Sequence, residues 1–407
     1  MNTAAQVACV ITGVGIVSPL GTGLEANRAA LLQGAGSIGP IQAFSAEGLA
    51  ARCAGEVADV RVPRGQPRAE AMARLALAEA CAQARLPPGA PDPRRALSFA
   101  IGKATVDLEA LAAAGSSPAA RERLELERAG FDAAALLPRL ADACAAGGPQ
   151  YSSYTACASG NDAVGLAMRL IQRGEAEMVI AGATDAQVHP LSLLEFELLS
   201  ALSHEPAARA CRPFDRNRTG FVVGEGAAAM VIESAEHAAR RGAPALAALA
   251  GYGSSLDAHG LTKCHPQGRG AALAMRAALA DAGLQPADID YINAHGTGTV
   301  LNDQAEAAAI AAVWGEAVAT VPVSSTKSMT GHLLTAASAV EAVLTVLALQ
   351  DGLLPPNLNF EQPDPECRLN VVAVPGRRAR LRFAMSNGFG FGGQNSSLIL
   401  ASPPLIS

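Results

Sequence analysis

The sequence predicts a layered α/β fold made of two similar halves, each alternating strands and helices. In the first half, Ser152-Ser153 leads through Cys157 into a long apolar helix. In the second half, Ser324-Ser325 leads through His332 into the apolar run Ala336 to Leu349. Such an internal duplication is typical of stacked layers that are related by a pseudo-twofold axis.

A second pair of matching segments supports the duplication. Gly224-Glu225-Gly226 precedes the strand-like run Ala229 to Ile232, just as Gly392-Gly393 precedes the strand-like run Ser397 to Leu400. In both places glycines lead into a short apolar segment, so the two halves share more than one helix.

The chain is long enough for two cores, because 407 residues exceed a typical single domain. The apolar pattern is interrupted by charged residues, glycine and proline around Glu233 to Pro244. We therefore expect an N-terminal half at residues 1–240 and a C-terminal half at residues 241–407.

The composition favours a closely packed protein that does not bind nucleic acid. Half of the residues are hydrophobic (50%), only 17% are charged and 4% are aromatic, so alanine and glycine dominate. The net charge is −6 and there is no long basic run, which argues against a nucleic-acid partner.

The cysteines and the N-terminus predict a cytoplasmic protein. The eight cysteines show no CxxC spacing, which indicates reduced thiols and no metal site. The run Val7 to Val17 lacks a basic leader and is broken by glycines, so it predicts a strand and turn and not a signal peptide. No segment offers about 18 uninterrupted apolar residues, so we expect no membrane span.

Cys157 is the first candidate for chemistry. It precedes a helical pattern formed by Ala163, Leu166, Ala167 and Leu170, which places it in the first turn of an apolar helix. The free N–H groups of a helix N-terminus favour a thiolate and can stabilise an oxyanion. The alternative is an inert, buried structural cysteine.

Two histidines lie in polar turns that follow short apolar strands. His295 follows the strand Ile289 to Ile292, and His332 follows the strand Val321 to Val323, each within a Gly/Thr/Ser-rich segment. Polar groups at strand ends can converge, so both are candidates for the same site. The other histidines are expected to be core or surface residues: His189, His204, His237, His259 and His265.

The segment Asn387 to Asn395 is rich in glycine, which lets a backbone approach a ligand closely. It does not open a helix as a dinucleotide-binding loop does, but runs into a strand. Together with the residues above, it completes four motifs that occur here in the order found in β-ketoacyl-acyl-carrier-protein synthases: Thr155 to Gly160, Asn293 to Thr299, Ser325 to His332 and Gly390 to Asn395.

The chain thus resembles the type II elongating condensing enzymes (KAS II-like) of the thiolase superfamily. The resemblance is strong from Tyr151 onward and weak from about Arg61 to Gly148. It implies the thiolase fold, which has five layers (αβαβα), two pseudo-twofold-related halves and two core helices packed face to face.

The resemblance implies a decarboxylative Claisen condensation of an acyl group with malonyl-acyl-carrier protein, giving 3-oxoacyl-acyl-carrier protein. Cys157 would hold the acyl group as a thioester. His295 and His332, donating from Nε2, would stabilise the enolate that decarboxylation leaves. Lys327 would tune the site electrostatically, with Glu306 as its acidic partner.

Other roles are implied at matched positions. The backbone N–H groups of Cys157 and Phe391 would form the oxyanion hole, and Phe391 would gate the acyl pocket. Thr297 and Thr299 would bind the phosphopantetheine arm of acyl carrier protein. Asn395 would support the Gly-rich loop. No cofactor is expected on the chain itself.

The sequence departs from the family where substrate choice is expected to be set. Phe196 aligns with a pocket aromatic, but Leu194 and Glu195 stand where elongating synthases often have glycine, and Gly102 to Asp107 carries fewer glycines than usual. These departures leave chain length open, and they fit a polyene or polyketide synthase as well as a fatty-acid synthase.

The resemblance also implies a homodimer formed through the N-terminal half, or a heterodimer with a homologous subunit. Three alternative classes of protein share features with this chain: thiolases, initiating synthases and non-catalytic partner subunits. Thiolases carry a second catalytic cysteine in the Gly-rich loop, where this chain has Phe391, and initiating synthases have asparagine where this chain has His332. A non-catalytic partner resembling a chain-length factor usually lacks the nucleophile, whereas Cys157 is present.

Overall fold

The computed structural model describes residues 7–63, 66–87, 89–103, 112, 117–119 and 133–403. Every structural statement below concerns these residues. Most of the segment predicted to depart from the family near the acyl pocket, from Ala104 to Asp107, lies outside them.

The N-terminal half alternates strands and helices as predicted. Its elements are, in chain order, β1 (Cys9–Ser18), β2 (Gly21–Thr22), α1 (Leu24–Gln33), β3 (Ile38–Pro40), β4 (Cys53–Gly55), α2 (Arg68–Gln83), β5 (Arg95–Ile101), α3 (Ala133–Ala143), β6 (Gln150–Tyr151), α4 (Ser159–Gln172), β7 (Met178–Ala186), α5 (Pro190–Leu198), α6 (Ala207–Ala210), β8 (Glu225–Ser234) and α7 (Ala235–Arg240).

The C-terminal half repeats this alternation. Its elements are β9 (Ala247–Leu256), α8 (Arg269–Ala282), β10 (Tyr291–Asn293), α9 (Val300–Trp314), β11 (Pro322–Ser324), α10 (Lys327–Thr330), α11 (Ala337–Asp351), β12 (Asn370–Val371), β13 (Phe383–Gly390) and β14 (Gln394–Ala401).

The strand order reveals the duplication. The N-terminal strands run β6-β5-β7-β8-β1, and the C-terminal strands run β11-β10-β13-β14-β9, with β12 added at the outer edge. In both halves the first three strands are parallel and the last two pair antiparallel with their neighbours. The halves join where β1 pairs with β9. The predicted pair of similar halves is confirmed.

Five layers follow from three apolar clusters. One lies between the inner faces of the two halves, around α4 and α11. The second lies under α2 and α3 on the outer face of the N-terminal strands. The third lies under α8 and α9 on the outer face of the C-terminal strands. The helices and strands therefore stack as αβαβα, which matches the predicted layering.

The two central helices approach each other very closely. A Cβ atom on Gly160 of α4 would lie 2.3 Å from the backbone nitrogen of Ala339 in α11, so only glycine permits this packing. The stretch Leu334–Asp351 is long and apolar enough to span a membrane by composition alone, but 89% of it is buried inside the protein. Its apolar character is that of a core helix.

The topology brings four loops to one place. The turn after β6 carries Cys157, the loop after β10 carries His295, and the segment after β11 carries Lys327 and His332. The turn between β13 and β14 carries Phe391. Because β10, β11 and β13 are parallel neighbours, their carboxyl ends meet at one edge of the sheet.

Candidate active site

Cys157 lies in a short 3-10 turn, Ala156–Ala158, which leads directly into α4. The predicted position at a helix N-terminus is therefore correct, with the cysteine just before the α-helix proper. Ala156 has a φ of 48°, an unfavourable conformation for a residue with a side chain. The turn is braced by Ser159, whose Oγ accepts from the N–H of Thr155 at 2.8 Å and donates to the carbonyl of Ala156 at 2.6 Å.

His332 is in contact with the nucleophile. Its Nε2 lies 3.1 Å from Sγ of Cys157, and its Nδ1 accepts the backbone N–H of Leu334 at 3.3 Å. Because Nδ1 is an acceptor, the neutral ring carries its proton on Nε2. The N–H of His332 therefore points at the sulfur.

His295 is oriented in the same way by a different partner. Its Nδ1 lies 3.3 Å from Nζ of Lys327, and an ammonium group only donates. The proton of a neutral His295 is thus also on Nε2. The two imidazole rings meet edge to face, with centroids 5.3 Å apart.

The electrostatics keep both rings neutral. Burial and the nearby charge of Lys327 hold the pKa of His295 and the pKa of His332 well below the usual value. Burial also raises the pKa of Cys157 to about 12, although Lys327 acts in the opposite direction. Burial therefore outweighs the effect of the helix N-terminus, which favours a thiolate, and the resting site favours the protonated thiol.

Lys327 pairs with Glu341, not with Glu306. Nζ of Lys327 lies 2.5 Å from Oε1 of Glu341, and both side chains are buried. Burial raises the pKa of Glu341 to about 7. The predicted Lys327–Glu306 pair is wrong. Glu341 was missed, although an acidic residue in the middle of the apolar helix α11 was a usable signal.

Glu306 instead clamps the backbone that carries His295. Its two carboxylate oxygens accept the N–H groups of His295 at 2.9 Å and Gly296 at 2.7 Å. Oε1 also accepts from Nδ2 of Asn387 at 3.2 Å. Burial raises the pKa of Glu306 to about 7. Its place is therefore beside the site, as a support of the His295 loop.

Thr297 and Thr299 lie on the same loop. Their hydroxyl oxygens are 2.9 Å apart, and Thr297 is buried while Thr299 is half-buried. Asp303 holds the loop from below by accepting the N–H of Gly298 at 3.2 Å and the N–H of Phe214 at 2.8 Å. Two hydroxyl groups thus lie close together on the loop that follows His295.

The Gly-rich turn lies against the nucleophile. A Cβ on Gly390 would lie 3.0 Å from the backbone nitrogen of Cys157, so the two backbones nearly touch. Phe391 follows and is 39% exposed. Asn395 ties the turn to β14 by donating from Nδ2 to the carbonyl of Gly393 at 2.9 Å.

Phe196 packs against Phe221, and the ring of Phe221 in turn contacts His332. Its centroid lies 5.2 Å from that of Phe221, which in turn lies 5.3 Å from His332. On the same helix, Leu194 is exposed and Glu195 forms an ion pair with Lys103. Positions 194 and 195 thus carry one exposed apolar side chain and one charged side chain.

Asp185 was not predicted from the sequence. It is buried at the end of β7 and accepts the N–H of Thr335, three residues after His332, at 3.0 Å. Burial raises the pKa of Asp185 to about 6. An acidic residue within the apolar strand Met178–Ala186 was the only signal for it.

By distance alone, one atom each of Cys157, His295 and His332 could hold a metal ion, since the three atoms lie within 4.8 Å of one another. The buried ammonium of Lys327 beside His295 would repel a divalent cation. A thiol faced by two neutral N–H donors is better suited to acyl transfer and to stabilising an anion.

Comparisons with known proteins agree with this chemistry. Residues 7–238 match the family "Beta-ketoacyl synthase, N-terminal domain", and residues 246–361 match "Beta-ketoacyl synthase, C-terminal domain". A 3-oxoacyl-[acyl-carrier-protein] synthase 2 of Synechocystis sp. is 38% identical over 96% of each chain. One of Staphylococcus aureus is 36% identical over 96% of this chain and 100% of its own.

Solved structures give the same result. A ketosynthase complex of a type II polyketide synthase with its acyl-carrier protein contains a chain with a TM-score of 0.89 and 32% identity, covering 98% of this chain and 99% of that one. The ishigamide ketosynthase/chain length factor contains a chain with a TM-score of 0.89 and 35% identity, covering 98% of this chain and 100% of that one.

The family and fold predictions are thereby confirmed, including the thiolase fold. The similarity extends over nearly the whole chain in both kinds of comparison. The chain belongs to the β-ketoacyl synthase family.

Proposed function

We propose that the chain is a Cys-His-His acyltransferase that condenses an acyl group held on Cys157 with malonyl-acyl-carrier protein. The product is 3-oxoacyl-acyl-carrier protein. The observation that carries this proposal is the contact of 3.1 Å between Cys157 and His332, beside a second neutral histidine with its proton on Nε2.

In the first step, Sγ of Cys157 attacks the carbonyl carbon of an acyl thioester. The bond from Cys157 to the acyl group forms, the bond to the carrier sulfur breaks, and the thiol proton leaves with the carrier thiol. The backbone N–H groups of Cys157 and Phe391 stabilise the tetrahedral oxyanion. Lys327 favours the transient thiolate, because it lowers the pKa of the Cys157 thiol against the effect of burial.

In the second step, the malonyl group loses carbon dioxide. The electron pair of the broken C–C bond becomes an enolate whose oxygen accepts from Nε2 of His295 and Nε2 of His332. The enolate carbon attacks the acyl carbonyl, and Cys157 leaves as a thiolate that takes up a proton. Neutral histidines suit this role, since each keeps a proton to donate without adding a buried charge.

The substrates reach the site on the phosphopantetheine arm of acyl carrier protein. Thr297 and Thr299 would bind the arm. Beside them lies a cleft of about 560 Å³ whose charged lining residues are Arg209, Arg212, Arg218, Glu205 and Glu361. Arg218 donates to the carbonyl of Thr299 at 3.3 Å. Arg212 pairs with Glu205 and Arg218 pairs with Asp364, so the exposed Arg209 is the arginine that suits an anionic carrier and its phosphate group.

The carrier site can be tested by charge reversal. Arg209 is exposed, so Arg209→Glu should raise the KM for acyl-carrier-protein substrates and leave turnover of a small acyl thioester unchanged. Arg94→Glu, at an arginine that pairs with Asp92 and not with the cleft, is the matched control. Equal KM values for Arg209→Glu and wild type would count against this docking site.

Two assemblies are compatible with the proposal. A homodimer would form through the N-terminal half, where β6 is the edge strand. A heterodimer with a homologous subunit is the alternative, since one similar structure is named as a ketosynthase/chain length factor. Light scattering on the isolated chain should give about twice 41.2 kDa for the homodimer. A monomer that becomes active only with a second protein would favour the heterodimer.

We place the enzyme in the cytoplasm, in fatty-acid or polyene/polyketide chain elongation. Leu194 is exposed and Glu195 forms an ion pair with Lys103, so these two positions leave the length and saturation of the acyl group open. A panel of acyl-carrier-protein thioesters of varied length and oxidation state tests this directly.

The activity itself is tested by following both half-reactions. The purified chain should transfer an acyl group to Cys157 ahead of the other seven cysteines, as seen by peptide mapping. It should then release a 3-oxoacyl thioester when malonyl-acyl-carrier protein is added. If Cys157 stays unmodified while other cysteines react, the chain acts as a non-catalytic partner subunit or as a different acyltransferase.

A further inference from the structure

One carboxylate joins the nucleophile turn to the other half of the molecule. Oδ2 of Asp162 accepts from the hydroxyl of Thr155 at 2.6 Å, and Oδ1 of Asp162 accepts from the hydroxyl of Tyr252 at 2.7 Å. Thr155 precedes Cys157 by two residues, and Asp162 lies in the first turn of α4. Tyr252 lies on β9 in the C-terminal half.

Tyr252 fits a space made for its ring. A Cβ on Gly165 of α4 would lie 2.5 Å from the ring, so glycine is needed for the tyrosine to lie against the helix. The N–H of Tyr252 donates to Asp281 at 2.9 Å, and Arg169 donates both to Asp281 at 2.9 Å and to the carbonyl of Tyr252 at 3.1 Å. The hydroxyl of Tyr252 is therefore held at a defined position relative to α4.

The turn that Asp162 holds is one that needs external support. Ala156 has a positive φ of 48°, and such a conformation persists only when the surroundings enforce it. Thr155 is held at its hydroxyl by Asp162 and at its N–H by Ser159. The carbonyl of Thr155 also faces Gly390, where a Cβ would lie 2.9 Å away.

The two histidines are supported by different residues. Glu306 holds the loop of His295, and the turn of His332 is held by Asp185 through Thr335. Neither support involves Asp162 or Tyr252. A disturbance of Asp162 should therefore move Cys157 and its N–H while leaving the enolate-stabilising groups in place.

We propose that Asp162 and Tyr252 are a positioning pair for Cys157, acting through the hydroxyl of Thr155. This inference rests on the proposed function above. The pair aims Sγ and the oxyanion-forming N–H of Cys157 at the acyl carbonyl. It has no part in decarboxylation of the malonyl group.

The test compares the two half-reactions in full-length variants. Asp162→Asn and Tyr252→Phe should slow acylation of Cys157 by roughly 10- to 100-fold, as expected when a reacting group is displaced by about 1 Å. The KM for the acyl donor and the rate of malonyl decarboxylation should stay at the wild-type values. The double variant should be no slower than Asp162→Asn, because both substitutions break one network.

Tyr291→Phe is the matched control, since it removes another buried tyrosine hydroxyl, one that bonds to Ser324 at 2.8 Å. It should leave the ratio of acylation to decarboxylation unchanged. A parallel loss of both half-reactions in Tyr252→Phe, with a lower melting temperature, would show a merely structural role. Tyr252→Phe keeps the ring on Gly165, so it is the variant to rely on if Asp162→Asn does not fold.

A second readout does not require the enzyme to be active. Alkylation of Cys157 by iodoacetamide should change in rate in Asp162→Asn and Tyr252→Phe but not in Tyr291→Phe. If wild type performs neither half-reaction, the proposed function fails, while the alkylation rates still decide on the positioning pair. Unchanged alkylation in both variants would overturn the inference.

Discussion

Nε2 of His332 lies 3.1 Å from Sγ of Cys157, and its proton points toward the sulfur. The histidine cannot act as a base toward the resting thiol, because Nε2 already carries a proton. It can donate a hydrogen bond to the thiolate and, later, to the enolate. This single contact therefore links the acyl-transfer step to the decarboxylation step.

The first prediction concerns the pH dependence of Cys157. Burial raises its pKa to about 12, so the thiolate fraction at neutral pH is small and grows as the pH rises. The alkylation rate of Cys157 should climb steadily from about pH 7 to about pH 10, beyond the usual thiol pKa of about 8.5. Peptide mapping of timed iodoacetamide reactions measures this. A plateau near pH 9 would contradict the raised pKa.

The second prediction separates the half-reactions. Cys157→Ala should abolish condensation but keep malonyl decarboxylation measurable, because His295 and His332 stabilise the enolate without the thiol. His295→Ala should lower decarboxylation by roughly 10²- to 10³-fold, the scale of losing one oxyanion donor. Carbon dioxide release from malonyl-acyl-carrier protein is the measurement. Full decarboxylation in His295→Ala would refute its assigned role.

The third prediction concerns the ion pair of Lys327 and Glu341. Above about pH 7, where the carboxyl group of Glu341 is ionised, Glu341→Ala should lower the free energy of unfolding by about 3–5 kcal/mol, because it leaves the buried charge of Lys327 without a partner. It should also impair decarboxylation, since Lys327 orients His295. Chemical denaturation and carbon dioxide release report the two effects. Asp351→Ala, on the same helix but paired with Arg28 outside the site, is the control.

The pH dependence of stability follows from the same carboxylate. The pKa of Glu341 is raised from 4.5 to about 7, so the folded protein favours the protonated form. The contribution of Glu341 to stability is therefore fully present below about pH 4.5 and is lost as the pH rises toward 7. In Glu341→Gln, the free energy of unfolding should fall less between pH 4.5 and pH 7 than it does in wild type, as measured by melts of both proteins at matched pH. Identical pH profiles for variant and wild type would contradict the shift.

The fourth prediction concerns Glu306. Glu306→Gln should lower the free energy of unfolding by about 1–3 kcal/mol, because an amide cannot accept from the N–H groups of both His295 and Gly296. Displacing His295 should slow decarboxylation more than acylation of Cys157. Thermal melts and the two half-reaction assays test this. Equal slowing of both half-reactions would point to a general loss of structure.

The fifth prediction concerns the gate. Phe391 is 39% exposed and precedes Gly392, whose φ is 82°, so the turn can move at little cost. Phe391→Ala should slow acylation of Cys157 or widen acyl-chain selectivity with little effect on the melting temperature. Phe389→Ala is the contrast, because that ring is buried and its loss should cost about 3–5 kcal/mol. A lower melting temperature for Phe391→Ala with unchanged selectivity would refute the gate.

The sequence by itself predicted which residues come together in the candidate site. Cys157, His295 and His332 stand in short turns whose glycines, threonines and serines are readable locally, and the duplicated pattern around them predicted the paired halves. Such features depend on neighbours within a few positions of the chain. They can be recognised before any long-range contact is known.

The tertiary structure decided how those residues are charged and held. Lys327 pairs with Glu341 instead of Glu306 because the central helix, and not α9, presents its carboxylate to the lysine. Burial is the main reason that the pKa of the Cys157 thiol is raised and that the thiol stays protonated. Tyr252 meets Asp162 across 90 positions of the chain, where β9 packs on α4. Burial of charged groups and contacts between distant segments arise only when the helices and sheets pack together. A local sequence pattern therefore cannot predict them.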